Sequence, residues 1–251
     1  MKFQTLASGS KGNCSIVICN NIKLLIDIGI SFPTLKARLE KLDISINDLT
    51  GILISHSHND HTKGLQSIIK KTNLKILIPE KMYEELQSVV PKNRVIFIED
   101  KNKLTNVNIE LIHTSHDVIC SVGFMITYDN KTLVHITDTG YLNKRILPKI
   151  TNKDIVLIES NHDEEMLMNG PYPPFLKQRV VGDEGHLSNR QTCEYLKQIV
   201  GDNTKYVFLA HISEKNNTHD KVREEAEKIL KNKNLEIVIA TQDEESKIVE
   251  V

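Results

Sequence analysis

The run Ile52-Leu53-Ile54-Ser55-His56-Ser57-His58-Asn59-Asp60-His61-Thr62 restricts this chain more than any other stretch. An apolar segment that reads as a buried strand ends at Ser55. Four side chains able to bind a metal follow at once. His56 and His58 stand two apart, so on extended backbone they point to the same side. Asp60 and His61 fall on the turn into the next element and can swing toward a neighbouring point. Solvated loop histidines beside a helix-capping aspartate would be the plain alternative, but that density of ligands after a buried strand speaks against it. The spacing suits two metals close together.

Composition fits a globular protein. Hydrophobic residues are 39% and charged residues 26% of 251, an ordinary balance. Lys+Arg is 32 against Asp+Glu 33, a net charge of −1, unlike a strongly basic nucleic-acid binder. Any contact with a polyanion must then use a local patch or a metal. Cys14, Cys19, Cys120 and Cys193 form neither C-x-x-C pairs nor a disulfide framework. No apolar run approaches the ~18 residues of a membrane helix, and MKFQTLASGS lacks the apolar stretch of a signal peptide. The expectation is a cytoplasmic protein without a membrane segment.

Short apolar runs bounded by turn residues predict strands at Phe3–Leu6, Ser15–Cys19, Lys23–Asp27, Gly51–Ser55, Lys75–Ile78, Val95–Ile98, Val107–His113, Gly123–Tyr128 and Thr132–Thr137. Further strands are expected at Asp154–Glu159, Tyr206–Ala210, Glu236–Ala240 and Lys247–Val251. Helical spacing covers Phe32–Leu42 (after Ser31, with Pro33 in its first turn), Thr62–Lys71, Glu80–Val89, Ser188–Ile199 and His219–Lys231. Sheets covered by helices follow, an α/β arrangement. Asn161–Gly185, with Pro171, Pro173 and Pro174, reads as one long irregular loop of the kind that often carries function.

His56-x-His58-x-Asp60-His61 resembles the H-x-H-x-D-H signature of the metallo-β-lactamase fold superfamily. The resemblance implies a single αββα sandwich domain over residues 1–251, with further ligands at the ends of later strands. His116 fits the third ligand of the first metal. His113 competes with it, but lies inside a strand, where a packed or edge histidine is the plainer reading. Asp138 fits the carboxylate shared by both metals, and His211 the last ligand of the second. The implied sets are His56, His58 and His116 for one ion, and Asp60, His61 and His211 for the other, with Asp138 between them. Nitrogen and oxygen ligands without thiolate suit two divalent ions, Zn²⁺ or Mn²⁺. A hydroxide bridging the pair would be the nucleophile, and Asp60 would help orient it. His135 reads as structural. His162 is ambiguous, and His219 reads as a solvated helix-start residue.

Other positions separate branches of the superfamily. Redox di-iron members resemble H-x-E-x-D, whereas His58 stands here, which favours hydrolysis. In the nuclease branches (transfer-RNA 3′-processing enzymes and β-CASP nucleases), a strand-end acid pairs with a histidine in a Gly-His-x-Ser/Thr motif. Glu159 and Gly185-His186-Leu187-Ser188 match that pattern, which implies catalytic roles for Glu159 and His186. The alternative is a histidine that caps its helix and a surface carboxylate. The Gly-rich Ser8-Gly9-Ser10-Lys11-Gly12-Asn13 lacks Walker A spacing, and is either a plain turn or a loop lining the substrate groove.

The layout from that loop, through Asp27-x-Gly29, to His211-Ile-Ser-Glu-Lys-Asn-Asn217 is similar to the bacterial YycJ/WalJ-like group across the chain. The resemblance implies a metal-dependent phosphodiesterase acting on nucleic acid, DNA rather than RNA, as a 5′ to 3′ exonuclease. A thioesterase or small cyclic-phosphodiester hydrolase is the alternative. Asp138 and His211 lie 73 positions apart, too close for a β-CASP-sized insertion. Local groups must then hold the substrate: Lys177, Arg179 and Ser213, with Arg190 and Lys215 behind them.

Overall fold

Alternating apolar residues build two seven-stranded sheets packed face to face. The computed structural model describes residues 1–251. The first sheet holds β1 (Lys2–Ala7), β2 (Cys14–Cys19), β3 (Ile22–Ile26), β4 (Gly51–Leu53), β5 (Ile76–Ile78) and β6 (Val95–Phe97). The second holds β7 (Lys101–Leu104), β8 (Val107–His113), β9 (Val122–Tyr128), β10 (Lys131–Ile136), β11 (Ile155–Glu159), β12 (Tyr206–Ala210) and β13 (Glu236–Ile239). The last strand, β14 (Val249–Glu250), returns to pair with β1 in the first sheet.

Each sheet changes character along its width. In the first, β14 to β3 pair antiparallel and β3 to β6 parallel. In the second, β7 to β10 pair antiparallel and β10 to β13 parallel. Parallel neighbours need crossovers, and helices supply most of them. Helices α1 (Phe32–Glu40), α2 (Asn59–Thr62), α3 (Leu65–Lys71) and α4 (Tyr83–Leu86) serve the first sheet. The second has α5 (Leu147–Ile150), α6 (Glu164–Asn169), α7 (Pro174–Val181), α8 (Asn189–Ile199) and α9 (His219–Leu230).

Period-two alternation distributes the second sheet between two cores. Ile155, Leu157 and Phe208 face the first sheet, and Phe208 meets Phe3 edge to face at 5.0 Å. Val156, Ile158, Val207 and Leu209 face the other way, onto Leu196, Ile199, Val222 and Ala226 of α8 and α9. Both faces are therefore buried, as the apolar runs predict. Fully burying each such Leu, Ile or Phe contributes about 1.5–3 kcal/mol.

Local differences from the sequence reading have physical causes. The stretch Asn161–Gly185 is not one loop, because it contains α6 and α7. Asp163 accepts from the Met166 amide to cap α6, and Pro174 opens α7, where a proline loses nothing by lacking an N–H. The expected helix Thr62–Lys71 is two helices. They part at Gly64, whose amide donates to the Ile28 carbonyl at 2.8 Å. Glu80–Val89 is a 3₁₀ turn, Glu80–Met82, running into the short α4. Strand β7, Lys-Asn-Lys-Leu, is an edge strand too polar to show in the sequence. No helix is long and apolar enough to cross a membrane.

Candidate metal centre

The suspected ligands gather where strands give way to loops on one rim. The His56–His61 run follows β4, His116 follows β8, Asp138 follows β10 and His211 follows β12. Carboxyl ends of parallel strands are the usual place for a site in an open α/β sheet. Three residues on this rim hold left-handed backbone: Asp27 at φ 63, Asp138 at φ 53 and His211 at φ 52. For a non-glycine residue this costs of order 1–3 kcal/mol. The turn it makes aims each side chain back over the strand ends.

Two clusters result. His56, His58 and His116 form one, and Asp60, His61, Asp138 and His211 the other; within each, the ligand atoms lie within 4.8 Å of one another. His116 Nε2 stands 3.1 Å from His58 Nδ1. Asp138 Oδ1 lies 4.0 Å from His56 Nε2, 3.7 Å from His116 Nε2 and 3.5 Å from His211 Nδ1, and Oδ2 lies 3.1 Å from His61 Nε2. Asp138 thus lies within 4.0 Å of nitrogens from both clusters.

The donor set fits divalent metal. His56 Nε2 is buried without a hydrogen-bond partner, an arrangement that costs about 1–3 kcal/mol unless something fills it. Charge points the same way. Burial opposes a charge on His61 and His211, yet the surrounding carboxylates prevail. His61 is raised well above its ordinary value by Asp138 and Asp27, and His211 is raised to about 10 by Asp138, Asp60 and Glu159. Burial would raise Asp60, but contacts with His211 and His61 hold it well below the usual carboxylate range. His56, by contrast, is kept neutral by burial and by its histidine neighbours.

Buried groups behind the ligands fix their orientation. His61 Nδ1 donates to Asp27 Oδ2 at 2.8 Å, and Asp27 also accepts from the Ser55 amide and hydroxyl at 2.7 and 2.8 Å. His116 Nδ1 donates to the Gly185 carbonyl at 3.2 Å. Such partners set the tautomer and leave the other nitrogen for the ion. The Gly-rich loop proves to be a brace. Asn13 Nδ2 reaches Asp60 Oδ2 at 3.2 Å and His61 Nε2 at 3.0 Å, and Ser10 lines the cleft. Gly29 lets the two loops meet, since a Cβ there would lie 1.7 Å from the Asp60 carbonyl oxygen.

Glu159 and His186 are brought together beside these clusters. Glu159 is fully buried, and its Oε2 takes His186 Nδ1 at 3.1 Å. The Thr139 amide donates to Oε1 at 2.6 Å. Burial would raise the Glu159 carboxyl, yet His186 and His211 hold it down to about 2. Glu159 is therefore no surface carboxylate. Ser188, not His186, caps α8, through a capping box with Gln191.

Other positions divide. Arg179 and Ser213 line the cleft of about 360 Å³ over the clusters. Lys177 does not: its ammonium donates to the Met168 carbonyl at 2.6 Å. Its direction on α7 explains this, since Leu176, Arg179 and Val180 take the inward face. Arg179 Nε is tied to Asp117 at 2.5 Å, Arg190 pairs with Glu164, and Lys215 lies over the Tyr172 ring at 5.8 Å. His135 is buried against Ser15 and Phe3, and His219 is exposed at the start of α9. His162 is buried and bridges to Ser188.

Sequence reasoning named Asp27 and Asn13 only within motifs and gave neither a contact to a ligand, and of the Tyr172–Val180 wall of the cleft it named Arg179 but missed Tyr172, Leu176 and Val180. A signal for Asp27 existed: Asp27-Ile28-Gly29 repeats the Asp138-Thr139-Gly140 pattern, each after an apolar strand.

The competitor His113 is exposed and pairs with Asp100 at 2.8 Å, away from both clusters. We expect His113→Ala to keep its full metal content and His116→Ala to lose ions from the first cluster, measured by elemental analysis after reconstitution. The reverse pattern would reassign the third histidine.

A family model described as "Beta-lactamase superfamily domain" matches residues 23–212. Exodeoxyribonuclease YycJ of Bacillus anthracis is 33% identical over 238 residues, 93% of this chain and 90% of that protein. Exodeoxyribonuclease WalJ of Streptococcus pneumoniae (serotype 2, strain D39) is 35% identical over 86% of this chain and 83% of its own. Among solved structures, the metallo-β-lactamase fold protein YhfI from Bacillus subtilis aligns with a TM-score of 0.74 at 19% identity, covering 100% of this chain and 98% of the other.

Proposed function

This chain belongs to the beta-lactamase superfamily and has the metallo-β-lactamase fold, and from that premise we propose that it is a single-domain DNA exonuclease dependent on two divalent ions. The observation that carries the reading is the pairing of the buried Glu159 with His186, which lines the cleft, beside two adjacent clusters of metal-binding side chains. Likeness to the YycJ and WalJ exodeoxyribonucleases supports DNA as substrate, and the 5′ to 3′ direction is part of the proposal. We place the protein in the cytoplasm, in keeping with four free thiols.

His56, His58 and His116 would hold one ion, and Asp60, His61 and His211 the other, with Asp138 shared. Bound there, Zn²⁺ or Mn²⁺ would supply Lewis-acid charge to a phosphodiester and lower the pKa of water toward neutrality. The remaining steps fall to the chain. His186 gives its Nδ1 to Glu159, which leaves Nε2 to protonate the leaving oxygen or hold a phosphate oxygen. Glu159 orients the imidazole through this hydrogen bond. Asp60, on the cleft floor, orients the attacking water. Arg179 and Ser213 give the phosphate a cation and a hydroxyl at the mouth.

A panel of 5′- and 3′-labelled single- and double-stranded DNA and RNA, with Mn²⁺ or Zn²⁺, tests this. The expected result is stepwise shortening of DNA from the 5′ end, abolished by a chelator. Release of thiol from a glutathione thioester without DNA cleavage would replace the nuclease reading by a thioesterase.

A further inference from the structure

The cleft has two unlike sides. Its floor carries His58, Asp60, His116, Asp138, His186 and His211. Its three apolar or aromatic lining residues, Tyr172, Leu176 and Val180, stand together at i, i+4 and i+8. Leu176 and Val180 stand one turn apart on α7, and Tyr172, just before the helix, lines the same cleft. Arg179 sits on the same wall, and Lys215 lies 5.8 Å over the Tyr172 ring. A phosphodiester on the floor needs no apolar wall. A flat, uncharged group attached to that phosphodiester does. At about 360 Å³ the cleft is at the small end of ligand sites, which run from about 300 to 1,000 Å³. That is room for a single base with its phosphate.

We propose that Tyr172, backed by Leu176 and Val180, stacks on the base of the terminal nucleotide being removed, and so positions its phosphodiester over the metal centre. This rests on the nuclease reading above. An aromatic platform accepts any base, because every base has a π-face. The wall therefore confers affinity for a nucleotide without sequence preference. Tyr172 is a positioning residue, and its loss should appear in KM rather than kcat.

The test uses the Mn²⁺-loaded full chain and single-stranded oligodeoxynucleotides. One substrate is intact, and the other has an abasic tetrahydrofuran in place of the terminal nucleotide. The wild type should show a KM for the abasic substrate about 5- to 100-fold higher, the range that one lost base–aromatic stack produces. Tyr172→Ala should raise KM for the intact substrate by that factor and leave the abasic substrate unaffected. Tyr172→Phe should restore the difference. Phe175→Ala, an exposed side chain on the same helix outside the cleft lining, should not change it. Equal losses on both substrates in Tyr172→Ala would make its role structural and overturn the inference. So would a wild type that cleaves both equally well. A wild type that cleaves neither overturns the nuclease reading itself.

Discussion

Asp138→Ala should lower DNA cleavage by on the order of 10³–10⁴-fold, the consequence of losing several kcal/mol of Lewis-acid charge stabilisation. Asp138 is buried and within 4.0 Å of nitrogens from His56, His61, His116 and His211, so no other carboxylate can replace it. The variant would also leave His61 and His211 without the counter-charge that raises both. Metal content should fall, and excess Mn²⁺ should restore only part of the rate. Asp27→Asn provides the graded comparison. It spares every ligand and weakens the hold on His61 and on the neighbouring Ser55, so metal affinity should drop about 10–100-fold. Near wild-type cleavage in Asp138→Ala, with metal content unchanged, would exclude Asp138 as the shared ligand.

The second large effect is expected at His186. His186→Ala should keep both ions, since the proposed ligand sets do not include it. Its activity on DNA should nevertheless fall roughly 10²–10⁴-fold, the range for losing a positioned general acid. The loss should shrink on a nitrophenyl phosphodiester, whose leaving group needs little protonation. If His186 serves only to hold phosphate, both substrates will suffer alike. Glu159→Gln keeps the hydrogen bond to His186 Nδ1 but not the charge, so it should reproduce the pattern in milder form. Full activity of His186→Ala on DNA would remove this residue from the mechanism.

The parts of the fold that sequence reveals are those where one residue's neighbours along the chain decide its place. Strands such as Ile155–Glu159 and Tyr206–Ala210 are apolar on both faces because both faces are buried, and nothing in their composition competes with that reading. The six residues from His56 to His61 carry their chemistry in a single turn, so their spacing is local information. Asp27 is different. Its link to His61 spans 34 positions and depends on β3 lying beside β4. Asn13, a further 14 residues upstream, meets Asp60 through a loop contact that only the fold creates. The prolines of residues 171–174 mislead for another reason. Proline density usually marks a loop, yet one proline at a helix start also marks where a helix begins, and α7 is the latter case. Tyr172 went unnoticed with it, because a tyrosine among prolines has no signature until the wall it joins is seen.

The two sheets follow one plan, an antiparallel run giving way to a parallel one, and the chain contributes them nearly in succession: β1 to β6, then β7 to β13, with β14 returning to the first. Neither half holds a complete set of ligands. His56 and His58 come from the first and His116 from the second; Asp60 and His61 come from the first, Asp138 and His211 from the second. Each ion bound as proposed would therefore act as a removable rivet between halves that are otherwise joined by apolar contact, by the β14–β1 pairing and by hydrogen bonds such as Val122 N–H to the Ser55 carbonyl. Its binding free energy would add to the cohesion of the sandwich by mass action. Metal supply would then govern the survival of the protein as well as its chemistry.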